Sequence, residues 1–142
     1  MKDPVTMASM VIFSSDNTLE LPKSFVTTLK ESEGQEYPYL IMILNNSSQV
    51  IRIAPTTGEK VVKLTIFISE LAPSFLQRLG DVLTKYKVKT LYSTGVCFTE
   101  KTCSYEGYID LTEFVETSPE NLKTALSQIP GISQVEMEIL SP

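Results

Sequence analysis

The sequence predicts an α+β protein, and three observations predict it. Over residues 60–140 the β-prone runs and helical periodicities follow one another as strand, helix, strand, strand, helix, strand. Each helical segment carries a single apolar stripe, so each has one face to bury against a sheet. The first 58 residues hold four further β-prone runs and only one short helix. The chain therefore reads as a β-rich module, 1–58, followed by a mixed domain, 59–142.

In the first module, residues 10–13 and 18–21 read as strands about a turn at Ser15-Asp16-Asn17. Pro22 punctuates, and 24–29 form a short helix capped by Ser24. A polar loop over 31–36 leads into the strongly apolar strand 39–44. Asn45-Asn46-Ser47-Ser48 is a hairpin turn, and 49–53 returns as a strand. The turn-rich segment Ala54-Pro55-Thr56-Thr57-Gly58-Glu59 marks the boundary.

The second domain opens with the strand 61–68. A helix over 71–86 places Leu71, Phe75, Leu76, Leu79, Val82, Leu83 and Tyr86 on one stripe. Strands over 90–98 and 103–111 follow, joined by a turn at Glu100-Lys101. The second helix, 118–129, has Ser118 as its cap, Pro119 in its first turn and Pro130-Gly131 as its stop. Its stripe is Leu122, Ala125, Leu126 and Ile129, and the strand 132–140 closes the domain. This order is the ferredoxin-like split βαβ arrangement. Two helices cover one face of a four-stranded sheet. Tyr92, Val96 and Phe98 on the other face call for cover, by the N-terminal region or a partner.

Composition bounds the function. The 142 residues carry 17 Asp and Glu against 12 Lys and Arg, which disfavours a general binder of nucleic acid or anionic membrane. No apolar run approaches the roughly 20 residues of a membrane span. The N-terminus has no apolar signal core, so a cytoplasmic protein with no membrane partner is expected.

The chemistry expected is none. With no histidine in the chain, there is no Ser-His-Asp triad, no Cys-His pair and no histidine-ligated metal. The phosphate-cradling glycine motifs are absent. Glu106 and Asp110 share a strand face about 13 Å apart, too far for paired-carboxylate catalysis. No catalytic residue, metal site or cofactor is expected. Cys97 and Cys103 flank the predicted turn. A two-residue loop places their sulfurs on opposite faces, as buried free thiols, and a different loop length changes this.

Two resemblances add to this reading. The strand Lys63-Leu64-Thr65-Ile66-Phe67-Ile68, the loop from Ser69 to Leu76, the segment from Leu79 to Val88 and the stretch from Leu122 to Val135 resemble the ACT family of regulatory domains. The resemblance covers about residues 60–140 and implies a dimerising domain that binds a small metabolite such as an amino acid. It departs at the loop, where the family's glycine is replaced by Pro73 or Ser74. Glu70, Leu71, Ala72, Pro73 and Ser74 are then the expected ligand-binding residues, with Ser93 and Thr94 contributing across a subunit boundary.

Leu19-Glu20-Leu21-Pro22-Lys23, followed by Phe25, Leu29, an acidic glycine-containing loop and two strands, resembles the SpoVT/AbrB swapped-hairpin family. That resemblance implies an intertwined dimer and an alternative function as a DNA-binding regulator through Lys23, Lys30 and Arg52. Residues 1–59 hold four cations against seven acidic residues, few for phosphate neutralisation. The leading expectation is a non-enzymatic regulatory or sensor protein, a homodimer or higher homo-oligomer, with an amino-acid-type ligand.

Overall fold

The computed structural model describes residues 6–13, 15–32 and 35–142. The centre of the expected polar loop, Glu33-Gly34, and the extreme N-terminus lie outside the described residues. In chain order the elements are α1 (Lys23–Lys30), β1 (Glu31–Ser32), β2 (Gln35–Glu36), β3 (Tyr39–Asn45), β4 (Val50–Thr56) and β5 (Val61–Ile68). Then come α2 (Phe75–Lys85), β6 (Tyr92–Cys97), β7 (Cys103–Asp110), a 3-10 turn (Leu111–Glu113), α3 (Pro119–Ser127) and β8 (Ile132–Leu140). The protein is α+β and its sheets are antiparallel.

The four-stranded sheet has the order β6-β7-β5-β8. Strand alternation sends Val62, Leu64, Ile66 and Ile68 of β5 to one face, where α2 and α3 lie. There Leu64, Ile66 and Ile68 meet Phe75, Leu79, Ile109, Leu122, Leu126 and Val135 in one core. Ser118 caps α3 by accepting from the Asn121 N–H at 3.1 Å, and Pro119 follows it, as the sequence predicts.

The opposite face of this sheet is covered at one end only. Strands β3 and β4 form a two-stranded ribbon, with Ile41 opposite Ala54 and Ile43 opposite Arg52. The ribbon lays Ile41, Ile43 and Ala54 on Val61, Tyr108, Tyr92 and Leu140. A carboxylate locks the linker beneath it. Asp110 accepts from the Gly58 N–H at 3.2 Å, the Thr57 hydroxyl at 3.3 Å, and the Thr112 N–H and hydroxyl at 3.0 and 2.8 Å. Burial alone raises an aspartate's pKa; these four donors outweigh it and hold Asp110 below the usual carboxylate range.

Several sequence expectations are corrected. Residues 10–13 and 18–21 are not strands: the described residues give them no partner strand, and an isolated short hairpin is marginal in water. The turn between them does form, with Asn17 at φ 65° and the Asp16 carboxylate accepting from Thr18. Helix α1 starts from Pro22, without a side-chain cap from Ser24. Glu31 and Ser32 pair with Glu36 and Gln35 across the expected loop. Ala54, Pro55 and Thr56, expected as boundary, complete β4.

Helix α2 begins at Phe75 because residues 69–71 are tied elsewhere by backbone bonds. Leu76, placed on its stripe, is 73% exposed. Cys97 and Cys103 are not free thiols on opposite faces. They stand directly opposite in the β6–β7 register and form a disulfide, with Cα atoms 4.0 Å apart. The turn has three residues, 99–101, not two, because Phe98 donates its N–H to the Thr102 carbonyl. The Thr99 hydroxyl then turns the chain by accepting from the Lys101 and Thr102 N–H groups. That change of register brings both sulfurs to one face.

Candidate functional site

The loop expected to receive a ligand is largely spoken for by its own backbone. Ser69 and Glu70 donate their N–H groups to the Gly131 carbonyl at 2.9 and 3.3 Å, and Leu71 donates to Lys101 at 2.7 Å. Ala72 accepts from the Phe75 N–H at 3.0 Å, Pro73 is exposed, and the Ser74 hydroxyl accepts from Arg78 at 3.1 Å. Gly131 has φ +91°, and a Cβ there would lie 2.1 Å from the Glu70 carbonyl oxygen. The glycine that lets backbones approach closely here sits in the turn after α3, and what it accommodates is the loop itself.

Within one chain, Ser93 and Thr94 lie away from that loop and on different faces. Successive strand residues point to opposite faces. Ser93 is exposed on the helix side of the edge strand β6, and Thr94 faces away from the helices. Their register partners, Gly107 and Glu106, lie four and three residues along β7 from Cys103, the end that adjoins Lys101 and the loop. That offset is about 10–13 Å.

Thr94 belongs instead to a groove of about 760 Å³ on the half of the sheet that the ribbon leaves open. Its floor is the outward row of β6 and β7: Tyr92, Thr94, Val96, Ser104 and Glu106. Its far wall is the ribbon's tip, with Ile43, Arg52 and the turn 45–48. The tip is shaped by the Asn45 side chain, which accepts from the Ser47 N–H and hydroxyl and the Ser48 N–H at 2.9–3.1 Å. Gln49 completes the turn at φ 58°.

The groove holds one cation and one carboxylate on a partly apolar floor. The Arg52 guanidinium stands 4.7 Å from the Tyr92 ring centroid, a cation–π contact that orients it while its residue stays exposed. Tyr92 in turn stacks at 6.5 Å on Tyr108. Glu106 lies beside Lys63, its carboxylate 3.8 Å from the ammonium, a loose pair with both side chains at 30–39% exposure. Lys63 also lies 5.9 Å from the Tyr108 ring. Burial of Tyr108 raises its phenol above the usual range, against the lowering pull of Lys63. Val96 and Phe98, 55% and 68% exposed, give the apolar part.

The face expected to bear a partner is thus divided. Tyr92 is covered by the chain's own Arg52, while Val96 and Phe98 stay open in the groove. The cations expected for nucleic acid do not form a patch. Lys23 and Lys30 mark the two ends of α1, about 10 Å apart. Arg52 points from the ribbon towards the sheet, which removes it from any outward basic surface. Sequence reasoning placed Tyr92, Thr94, Val96 and Phe98 on one face. It missed Arg52 and Glu106 as groove residues, because no local pattern says where a ribbon docks.

No helix among the described residues is long and apolar enough to cross a membrane. Among the same residues no group of carboxylates and cysteines is arranged to hold a metal ion. No family model matches the chain, and no curated protein matches it. Among solved structures it is similar to the ACT domain of a GTP pyrophosphokinase from Chlorobium tepidum, at 15% identity and a TM-score of 0.40. That match covers 55% of this chain and 96% of the other.

Proposed function

We propose that the protein is a non-catalytic regulatory module that binds a small amino-acid-type metabolite in the groove between the ribbon tip and the open half of the sheet. On this reading residues 61–140 are a ferredoxin-like, ACT-type domain, and the ribbon is an addition that moves the binding place onto the face opposite the helices. The observation that carries the reading is that Arg52 and Glu106 line one groove, beside Val96 and Phe98. A zwitterion has a carboxylate for the first and an ammonium for the second, and an apolar side chain for the floor. Arg52 is held by Tyr92 and needs little reordering to receive a carboxylate. Lys63 has only a loose hold on Glu106, so an incoming ammonium displaces little.

The test is a thermal-shift screen of the twenty amino acids, followed by calorimetry on any that bind. Saturable binding is expected for at least one apolar amino acid. Arg52→Gln and Glu106→Gln each weaken it by about tenfold or more, the worth of a charged hydrogen bond. Ser74→Trp, in the loop after β5, leaves it unchanged. Binding lost in Ser74→Trp and kept in both groove variants returns the site to that loop. No binding by any of the twenty removes the reading.

A further inference from the structure

The ribbon has a second apolar face, and it looks outward. Residues that alternate with those on the sheet, namely Leu40, Met42 and Leu44 on β3 and Ile51 on β4, are 45%, 57%, 58% and 45% exposed. Ile53 and Pro55 continue the row and are partly buried. Helix α1 covers only the base of the ribbon, where Val26 and Leu29 enclose a small cavity with Leu40 and Pro55. Ahead of α1, the segment that leans on Thr28 through Met7 exposes Met10, Ile12 and Phe13 at 99%, 88% and 83%.

We infer that a second copy of the chain packs on this outward face, ribbon against ribbon, about a twofold axis. The area decides in favour of a protein surface. At roughly 150–200 Å² per large apolar side chain, the row offers on the order of 400 Å² and the N-terminal segment about as much again. Together they match the roughly 800 Å² that one partner contributes to a stable dimer. The row carries no charge from Leu40 to Leu44, so it has nothing to offer phosphates or a charged peptide. The surrounding half of the chain is acidic, with seven carboxylates against four cations over residues 1–59, which disfavours an anionic lipid surface.

A flat, uncharged row is complementary to itself, and a twofold contact brings identical rows together. Two ribbons stacked face to face bury both rows at the usual sheet spacing of about 10 Å. The two surfaces meet only at the ribbon tip, where Leu44 also lines the groove; Leu40 and Met42 do not line it, so substitutions at Met42 test the dimer apart from the groove.

Light scattering at micromolar concentration is expected to give twice the chain mass. In Met42→Lys the dimer is lost. Met42→Gln, milder and close in size, weakens dimerisation by about tenfold while far-UV circular dichroism stays unchanged. Val96→Lys, on the groove floor, leaves the dimer intact. A monomer for the wild-type chain overturns the inference, including a monomer that binds anionic vesicles, which assigns the row to lipid. A dimer that survives Met42→Gln undiminished and dissociates in Val96→Lys overturns it too, by moving the contact to the groove face.

Discussion

The sheet that carries α2 and α3 and the ribbon of β3 and β4 solve the same problem in opposite ways. Both are built from runs of Ile, Leu and Val. In the first, Leu64, Ile66, Ile109, Leu122 and Leu126 have no measurable exposure, because two helices close over one face. In the second, Ile41 alone among the β3 residues is buried, and the alternate row lies bare. Apolar content therefore says little about where a protein's stability lies. The stability sits where a second layer closes, and the ribbon owes its place to a few contacts and one carboxylate.

The sharpest way to break that comparison is to cut a side chain from each region. Leu126→Ala is expected to cost about 2–5 kcal/mol in chemical denaturation, the transfer loss plus a cavity. Met10→Ala, in the exposed segment, stays within about 0.5 kcal/mol when measured at concentrations where the chain is monomeric. Equal costs would mean that the N-terminal segment is packed. Gly131→Ala comes next, at about 3 kcal/mol, from the left-handed φ and the clash with the Glu70 carbonyl. A neutral result there would show that the loop after β5 is free to move.

Asp110→Asn tests the tie between the regions. It should cost about 1–3 kcal/mol, since the amide keeps the shape and loses the charged acceptor. The pH dependence carries the same information. Asp110 is depressed in the folded state, so its contribution is complete above the unfolded aspartate pKa and is lost as pH falls through the lower folded value. Wild-type stability should therefore decline below about pH 4 with a component that the Asn variant lacks. Smallest of all, Lys87→Ala removes a 3.0 Å pair with Glu116 whose side chains are 70% and 55% exposed. Its loss should move the midpoint by less than about 1 kcal/mol.

How much was legible in the sequence follows the same divide. The strands 61–68 and 132–140 and the helix after Ser118 lie where alternation, a cap and a Pro-Gly stop place them. Those signals are local, and the core rewards each of them. The start of α2 was not legible, because it depends on Lys101 and Gly131, which bind the preceding residues from far along the chain. The disulfide turned on the length of one loop, where a single extra residue reverses a side chain's face. The groove was half legible: its floor is an alternating row, but its wall comes from a hairpin whose docking place no spacing encodes.

Pro55 has a consequence for solubility. A two-stranded ribbon has two free edges, and a chain with two adhesive edges can grow into a fibre. In β4 a proline stands opposite Leu40 and brings no N–H to that strand. A further strand arriving along β4 finds a donor missing at the ribbon's base, whereas β3 keeps its full set. The β4 border is therefore a poorer template for a further strand than the β3 border.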